Sequence, residues 1–141
     1  MKNEPLPGEP GSLAGVIVTH AGLATALRDA TARVAGDVAR LETISNEGLS
    51  PQEVGARVRD TVDSMGAGGC IVFVDFRGGS CATSCVGALR EHQNVRVLTG
   101  VNLPMLIDFV LRRGDHDIDS MVDRLVRRGR DAVQVLKGSA P

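Results

Sequence analysis

The chain has 141 residues and a formal charge of −1; 43% of it is apolar, yet its only aromatic residues are three Phe. That length suits one domain with a proper core, which must be aliphatic. The near-neutral balance gives no support to a nucleic-acid or membrane-binding surface. No apolar run approaches the ~18 residues of a transmembrane helix, and the N-terminus has no signal-peptide core, so a cytoplasmic location without membrane insertion is expected. Three cysteines, an odd number, do not make a disulfide framework.

Residues 1–12, "MKNEPLPGEPGS", hold three prolines and little to bury, and read as a disordered arm before a domain over 13–137. "LAGVIVT" (13–19) is a buried strand. Leu23, Leu27, Ala30 and Val34 then recur with helical spacing, which predicts one apolar helix face. "VARLETI" (38–44) is a weaker strand with charges inside it, expected at a sheet edge.

Ser50, Pro51 and Glu53 form a capping box with proline at the first helical position. The helix they open buries Val54, Val58, Thr61, Val62 and Met65, and glycines 66, 68 and 69 end it. "CIVFVD" (70–75) is a second strongly buried strand. A helix starting near Cys81 puts Ala82, Cys85, Val86 and Leu89 on one side. "VRVLTG" (95–100) is a further strand, followed by a helix over Leu103, Leu106, Ile107, Val110 and Leu111. A last helix carries Ile118, Met121, Val122, Leu125 and Val126. After Gly129 the helical period is lost, and Val133 and Val135 alternate as in a short strand.

Strand and helix alternating four times, with near-continuous apolar strands, predicts an α/β fold: a doubly wound, mainly parallel four-stranded sheet covered on both faces. Ligands bind such sheets at the carboxyl ends of the strands. His20 and Asp75 both stand there, after the two most hydrophobic strands. On neighbouring strands they would meet, the carboxylate fixing the tautomer and leaving the other ring nitrogen as a nucleophile. Gly78, Gly79 and Ser80 open the next helix, where backbone N–H groups and the helix dipole favour an anion. Together these describe a phosphohistidine site. Each member also has a plain reading: a loop histidine, a turn-forming Asp, an ordinary Gly-Gly-Ser connection. The residues alone leave both open.

"VIVTHAGLATAL", "VFVDFRGGS" and "VLTGVNLPMLIDFVLRR" resemble the IIA domain of the mannose/fructose-type sugar phosphotransferase system (PTS), in order from about residue 14 to 137. The most specific piece is Gly100-Val101-Asn102-Leu103-Pro104-Met105-Leu106. The resemblance implies a sheet of order 2-1-3-4, which makes strands one and three neighbours. It also implies a C-terminal strand, here 131–137, exchanged antiparallel with a partner subunit in a homodimer. His20 would accept a phosphoryl group from the phosphocarrier HPr and pass it to a IIB component. Asp75 would orient it, and Gly78, Gly79 and Ser80 would line the phosphoryl site. No cofactor is implied. The family usually continues Gly-Gly-Ser with Pro, where this chain has Cys81.

Two other functions stay in view: a regulatory PTS phosphoprotein without a transport role, and a thiol-based sensor using Cys81 and Cys85 beside the helix N-terminus. Positions i and i+4 on a helix stand ~6 Å apart, too far for a relaxed disulfide. A pair of small core residues is the plainer reading, and Cys70 opens a buried strand. His20, His92 and His116 have no metal-ligand spacing, so no metal site is expected. Arg77 and the "RLVRRGR" run (124–130) read as solvated.

Overall fold

The computed structural model describes residues 12–65 and 68–138. The stretch 1–11 and Gly66 lie outside the described residues, so most of the expected arm and one of the expected helix-ending glycines do too. Ser12, assigned above to the arm, is buried, and its carbonyl accepts a hydrogen bond from Arg40 Nη2 at 3.3 Å.

Among the described residues nine elements follow in chain order: β1 (Ala14–Thr19), α1 (Leu23–Ala35), β2 (Leu41–Ser45), α2 (Pro51–Ser64), β3 (Cys70–Val74), α3 (Ser80–Ala88), β4 (Val95–Thr99), α4 (Leu103–Arg112) and α5 (Ile118–Asp131). The strands form one parallel sheet in the order β2-β1-β3-β4, as the resemblance implied. β1 and β3, the most apolar strands, occupy its centre and are buried along their whole length. β2, with Glu42 exposed, lies at one edge as its charges predicted.

Side chains alternate across the sheet, so each central strand feeds two cores. On one face Ile17, Leu41, Ile71 and Phe73 meet Met105, Leu106 and Phe109 of α4 and Met121 and Leu125 of α5. On the other, Val16, Val18, Val72 and Val74 meet Val54, Val58 and Val62 of α2 and Cys81 and Cys85 of α3. The α2 capping box forms as expected: Ser50 Oγ accepts from the Glu53 N–H, and the Glu53 carboxylate accepts from the Ser50 N–H, both at 3.1 Å.

Several helix faces differ from the sequence expectation. In α1 the buried residues are Ala24 and Thr31, while Leu23 and Val34 are exposed. Small side chains bring this helix close to β1, β2 and α4; Leu27 packs partly buried against that core as expected, whereas Leu23 and Val34 turn outward. In α4 Met105, Phe109 and buried Asp108 replace Leu111, which is exposed. Asp108 belongs to the interior because Arg124 of α5 grips both its oxygens, at 2.7 and 2.9 Å. One residue of the supposedly solvated basic run is therefore a clamp between helices. Val86 of α3 is exposed.

α5 continues to Asp131, beyond the expected loss of period. Residues 133–137 form no strand within this chain, and Val133, Val135 and Leu136 lie almost fully exposed.

Gly15 is fixed by its neighbours. A Cβ there would lie 2.8 Å from Leu41 Cδ1 and 2.9 Å from the Phe109 ring, closer than carbon atoms tolerate. Gly15→Ala is expected to cost about 1–3 kcal/mol by overpacking. Combining it with Leu41→Val, which removes the nearest methyl, should recover part of that loss; urea denaturation of the single and double variants measures both.

Candidate functional site

The parallel register of β1 and β3 pairs Val18 with Val74. Both chains leave the sheet on the same side, and the next residues bring His20 and Asp75 together. One carboxylate oxygen, Asp75 Oδ2, meets His20 Nδ1 at 2.7 Å and accepts from the His20 backbone N–H at 2.9 Å. The other, Oδ1, accepts from the Phe76 N–H at 3.0 Å. Partial burial works against ionisation of Asp75. The backbone N–H and ring of His20, with the Phe76 N–H, outweigh it and hold the carboxyl below its ordinary value.

An ionised carboxylate requires the proton on Nδ1, which leaves the Nε2 lone pair free. The His20 side chain is 37% exposed, so that nitrogen is open to an approaching group.

Local backbone geometry aims the imidazole. Ala21, the next residue, has φ +51°, a left-handed conformation costly for a residue with a Cβ. It is held from β2's end: Asn46 Oδ1 accepts from the Ala21 N–H at 3.2 Å, and the Asn46 N–H donates to the Thr19 carbonyl at 3.1 Å. Thr19 Oγ1 accepts from the Ala24 N–H at 2.7 Å, tying the start of α1 to the strand. Phe76 stacks on the ring with centroids 5.2 Å apart and planes 28° from parallel.

The third wall is the start of α3. Gly79 is its N-cap, and no side chain caps that end. N–H groups of the first turn therefore lack a protein acceptor by helix geometry and suit an anion. The Gly79 N–H itself closes a turn on the Phe76 carbonyl at 3.4 Å. Ser80 Oγ stands 3.5 Å from His20 Nε2. A Cβ on Gly79 would lie 2.8 Å from His20 Cε1 and 2.9 Å from the Phe76 ring, so only glycine lets the helix start approach the imidazole this closely. Gly78 makes no such approach; its place is in the loop.

The five residues singled out from the sequence thus lie on one rim, with His20, Asp75, Gly79 and Ser80 in direct juxtaposition. Sequence reasoning missed Asn46 and Phe76. Asn46 follows the weak edge strand, and its signal was only its place at a third strand end.

Cys81 also borders the site. It is buried, and burial, together with the nearby charge of Asp75, pushes its thiol above the ordinary value. Cys85 is pushed up to about 12, chiefly by burial. One nitrogen of His20, one oxygen of Asp75 and Sγ of Cys81 lie within 4.8 Å of one another, the one described group of three that could hold a metal ion.

The depressed Asp75 makes a pH prediction. A carboxyl with a lowered folded pKa adds stability above its unfolded value, about 3.9, and loses it as pH falls through the folded value. At pH 7 Asp75→Asn is expected to lower stability by roughly 1–3 kcal/mol. The gap should close as pH drops below about 4; urea midpoints of both proteins between pH 7 and 3 test this.

Comparison with known proteins identifies the family and the fold. The family model EIIA-man, described as "PTS system fructose IIA component", matches residues 14–126. The "PTS system mannose-specific EIIAB component" of Escherichia coli (strain K12) is 33% identical over 70 residues, which cover 49% of this chain and 22% of that relative. The matched stretch is therefore about a fifth of that protein's length. Among solved structures, the phosphotransferase system component EIIA from Streptococcus agalactiae superposes with a TM-score of 0.80 at 22% identity, over 87% of this chain and 96% of that one. The mannose/sorbose specific IIA subunit from Enterococcus faecalis gives 0.80 at 19% identity, over 92% and 98%. These two establish likeness of fold. With four fifths of the residues matched by the family model, the chain belongs to the mannose/fructose-type EIIA family of the phosphotransferase system.

Proposed function

We propose that the chain is a phosphohistidine carrier that takes a phosphoryl group from HPr onto His20 and hands it to a IIB component. The observation that carries this reading is the 2.7 Å contact between Asp75 Oδ2 and His20 Nδ1, which leaves Nε2 facing the uncapped start of α3.

In the proposed transfer, the Nε2 lone pair attacks the phosphorus of the donor's phosphohistidine. The new P–Nε2 bond forms as the donor's P–N bond breaks, and the donor imidazole leaves with its electron pair. His20 keeps the proton on Nδ1 and becomes cationic, and Asp75 stabilises that charge directly. Gly79 and Ser80 border the space the phosphoryl oxygens would occupy, where N–H groups and the helix dipole favour negative charge. Transfer to IIB is the same displacement in reverse.

The rim supports docking of another protein. Phe76, stacked on His20, and Leu23, whose N–H donates to the His20 carbonyl, are both half exposed, so the nucleophile has apolar neighbours open to solvent. A regulatory phosphoprotein would use the same site and differ only in the recipient. The thiol-sensor reading loses support, because all three cysteines are buried and free and burial pushes their thiols above the ordinary value.

We also propose the subunit exchange. β4 is a sheet edge, and beside it a groove of ≈ 430 Å³ is lined by Val97, Thr99, Met105, Val126 and Gly129, with Val133 at its end. Exposed Val133, Val135 and Leu136 leave this point with nothing among the described residues to cover them, and a free edge strand favours pairing.

Incubation with phosphoenolpyruvate, enzyme I and HPr should place an acid-labile, base-stable phosphate on the wild-type chain. His20→Ala should abolish it, and Asp75→Asn should slow it at least tenfold; full labelling of His20→Ala would overturn the assignment. For the exchange, truncation after Gly129 should convert a dimer to monomer or aggregate in light scattering. A truncated chain that stays a stable dimer would place the interface elsewhere.

A further inference from the structure

Beside the two residues that phosphoryl transfer uses stands a third donor that it does not use. Cys81 sits at the start of α3 with its side chain buried, in the same small volume as His20 and Asp75. The three come from three different segments: the end of β1, the end of β3 and the first turn of α3. Their donor atoms, an imidazole nitrogen, a carboxylate oxygen and a sulfur, lie mutually within 4.8 Å. Around a four-coordinate zinc ion, with bonds of about 2.0–2.3 Å, ligand atoms stand roughly 3.3–3.8 Å apart. Side-chain adjustments of about an ångström bring these three to that spacing.

We infer that His20, Asp75 and Cys81 form a site for a borderline-soft divalent cation of the zinc class, and that its occupancy excludes phosphorylation of His20. The inference rests on the proposed role of His20 for its consequence, but the site itself rests on the geometry alone.

The donor set selects the ion. Sulfur and imidazole favour zinc and its neighbours over magnesium and calcium, which prefer oxygen cages. Charge balances as well: one carboxylate and one thiolate offset two positive charges. Binding forms a metal–sulfur bond and releases the thiol proton of Cys81 to solvent, so the ion brings about a deprotonation that burial otherwise opposes. The exposed side of His20 provides the entry path, and water from that side completes the coordination. Whichever ring nitrogen binds, transfer loses a participant: Nε2 is the nucleophile, and Nδ1 is the nitrogen Asp75 holds. A site of this kind makes carrier loading sensitive to free metal, through a cysteine that transfer does not require.

Cobalt(II) added to the unphosphorylated full chain provides the test, since a thiolate–cobalt bond absorbs in the near ultraviolet independently of any activity. The wild type should show that band together with the visible bands of tetrahedral cobalt, and zinc should displace them. Cys81→Ser and Cys81→Ala should lose the thiolate band, with folding checked by circular dichroism, while Cys85→Ser should keep it. In the phosphorylation assay, equimolar zinc should lower wild-type labelling at least tenfold relative to its EDTA control. Either Cys81 variant should stay within twofold of its own control. Absence of a thiolate band in the wild type, or its persistence without Cys81, would overturn the site. Should the wild type remain unlabelled even in EDTA, the carrier reading fails, while the cobalt spectrum still decides the metal site.

Discussion

A single carboxylate oxygen organises this molecule's working end. Asp75 Oδ2 accepts from both the backbone and, through the Nδ1 tautomer, the ring of His20. Two bonds from one residue to one atom fix both where that residue's main chain runs and how its side chain is turned. The arrangement requires β1 and β3 to be neighbours, parallel, and in the register that brings the ends after Val18 and Val74 level. A parallel neighbour needs a helical crossover, so the helices that cover the sheet are also what make the contact attainable. Gly79 then admits the start of α3 against the imidazole, and Asn46 holds the strained Ala21 from the far side.

The segment that most clearly marked the family has a different task. Asn102 caps α4, its Oδ1 accepting from the Met105 N–H at 3.1 Å, and its Nδ2 donates to the Gly129 carbonyl of α5 at 3.0 Å. Gly100 supplies the left-handed turn, φ +79°, that carries the chain from β4 to that cap. With the Asp108–Arg124 clamp, these contacts join α4 to α5 along the side of the sheet that ends at β4. The specificity of "GVNLPML" is thus architectural: it sets where the last helix lies and where the exposed tail departs.

Much of this was legible in the residues, and the failures share a cause. Buried parallel strands appear as unbroken apolar runs, and Ser50, Pro51 and Glu53 announced their helix. The order of the strands came only with the family likeness, because apolar runs do not say which neighbour they choose. α1 was misread since Ala24 and Thr31, which carry its contact, have little hydrophobic weight, whereas Leu23 and Val34 have much and face outward. The end of α5 was hidden by its arginines. At the site, His20, Asp75, Gly79 and Ser80 could be found because strand ends and helix starts are recognisable places. Asn46, Phe76 and the metal-like grouping of Cys81 could not. They act through long-range proximity, a stacked ring and a bent backbone, none of which leaves a spacing along the chain.

Phe76 gives the surface a memory of the site's charge. It stacks on the imidazole yet leaves about half of itself in solvent. Against a neutral ring the contact is dispersion. On the proposed chemistry, a His20 bearing a phosphoryl group is cationic, and the same contact becomes a cation–π interaction, worth about 0.5–1 kcal/mol at an exposed position. The loaded chain would then present a firmer aromatic face than the empty one, and a recipient protein that docks on Phe76 could distinguish a carrier with something to deliver from one without.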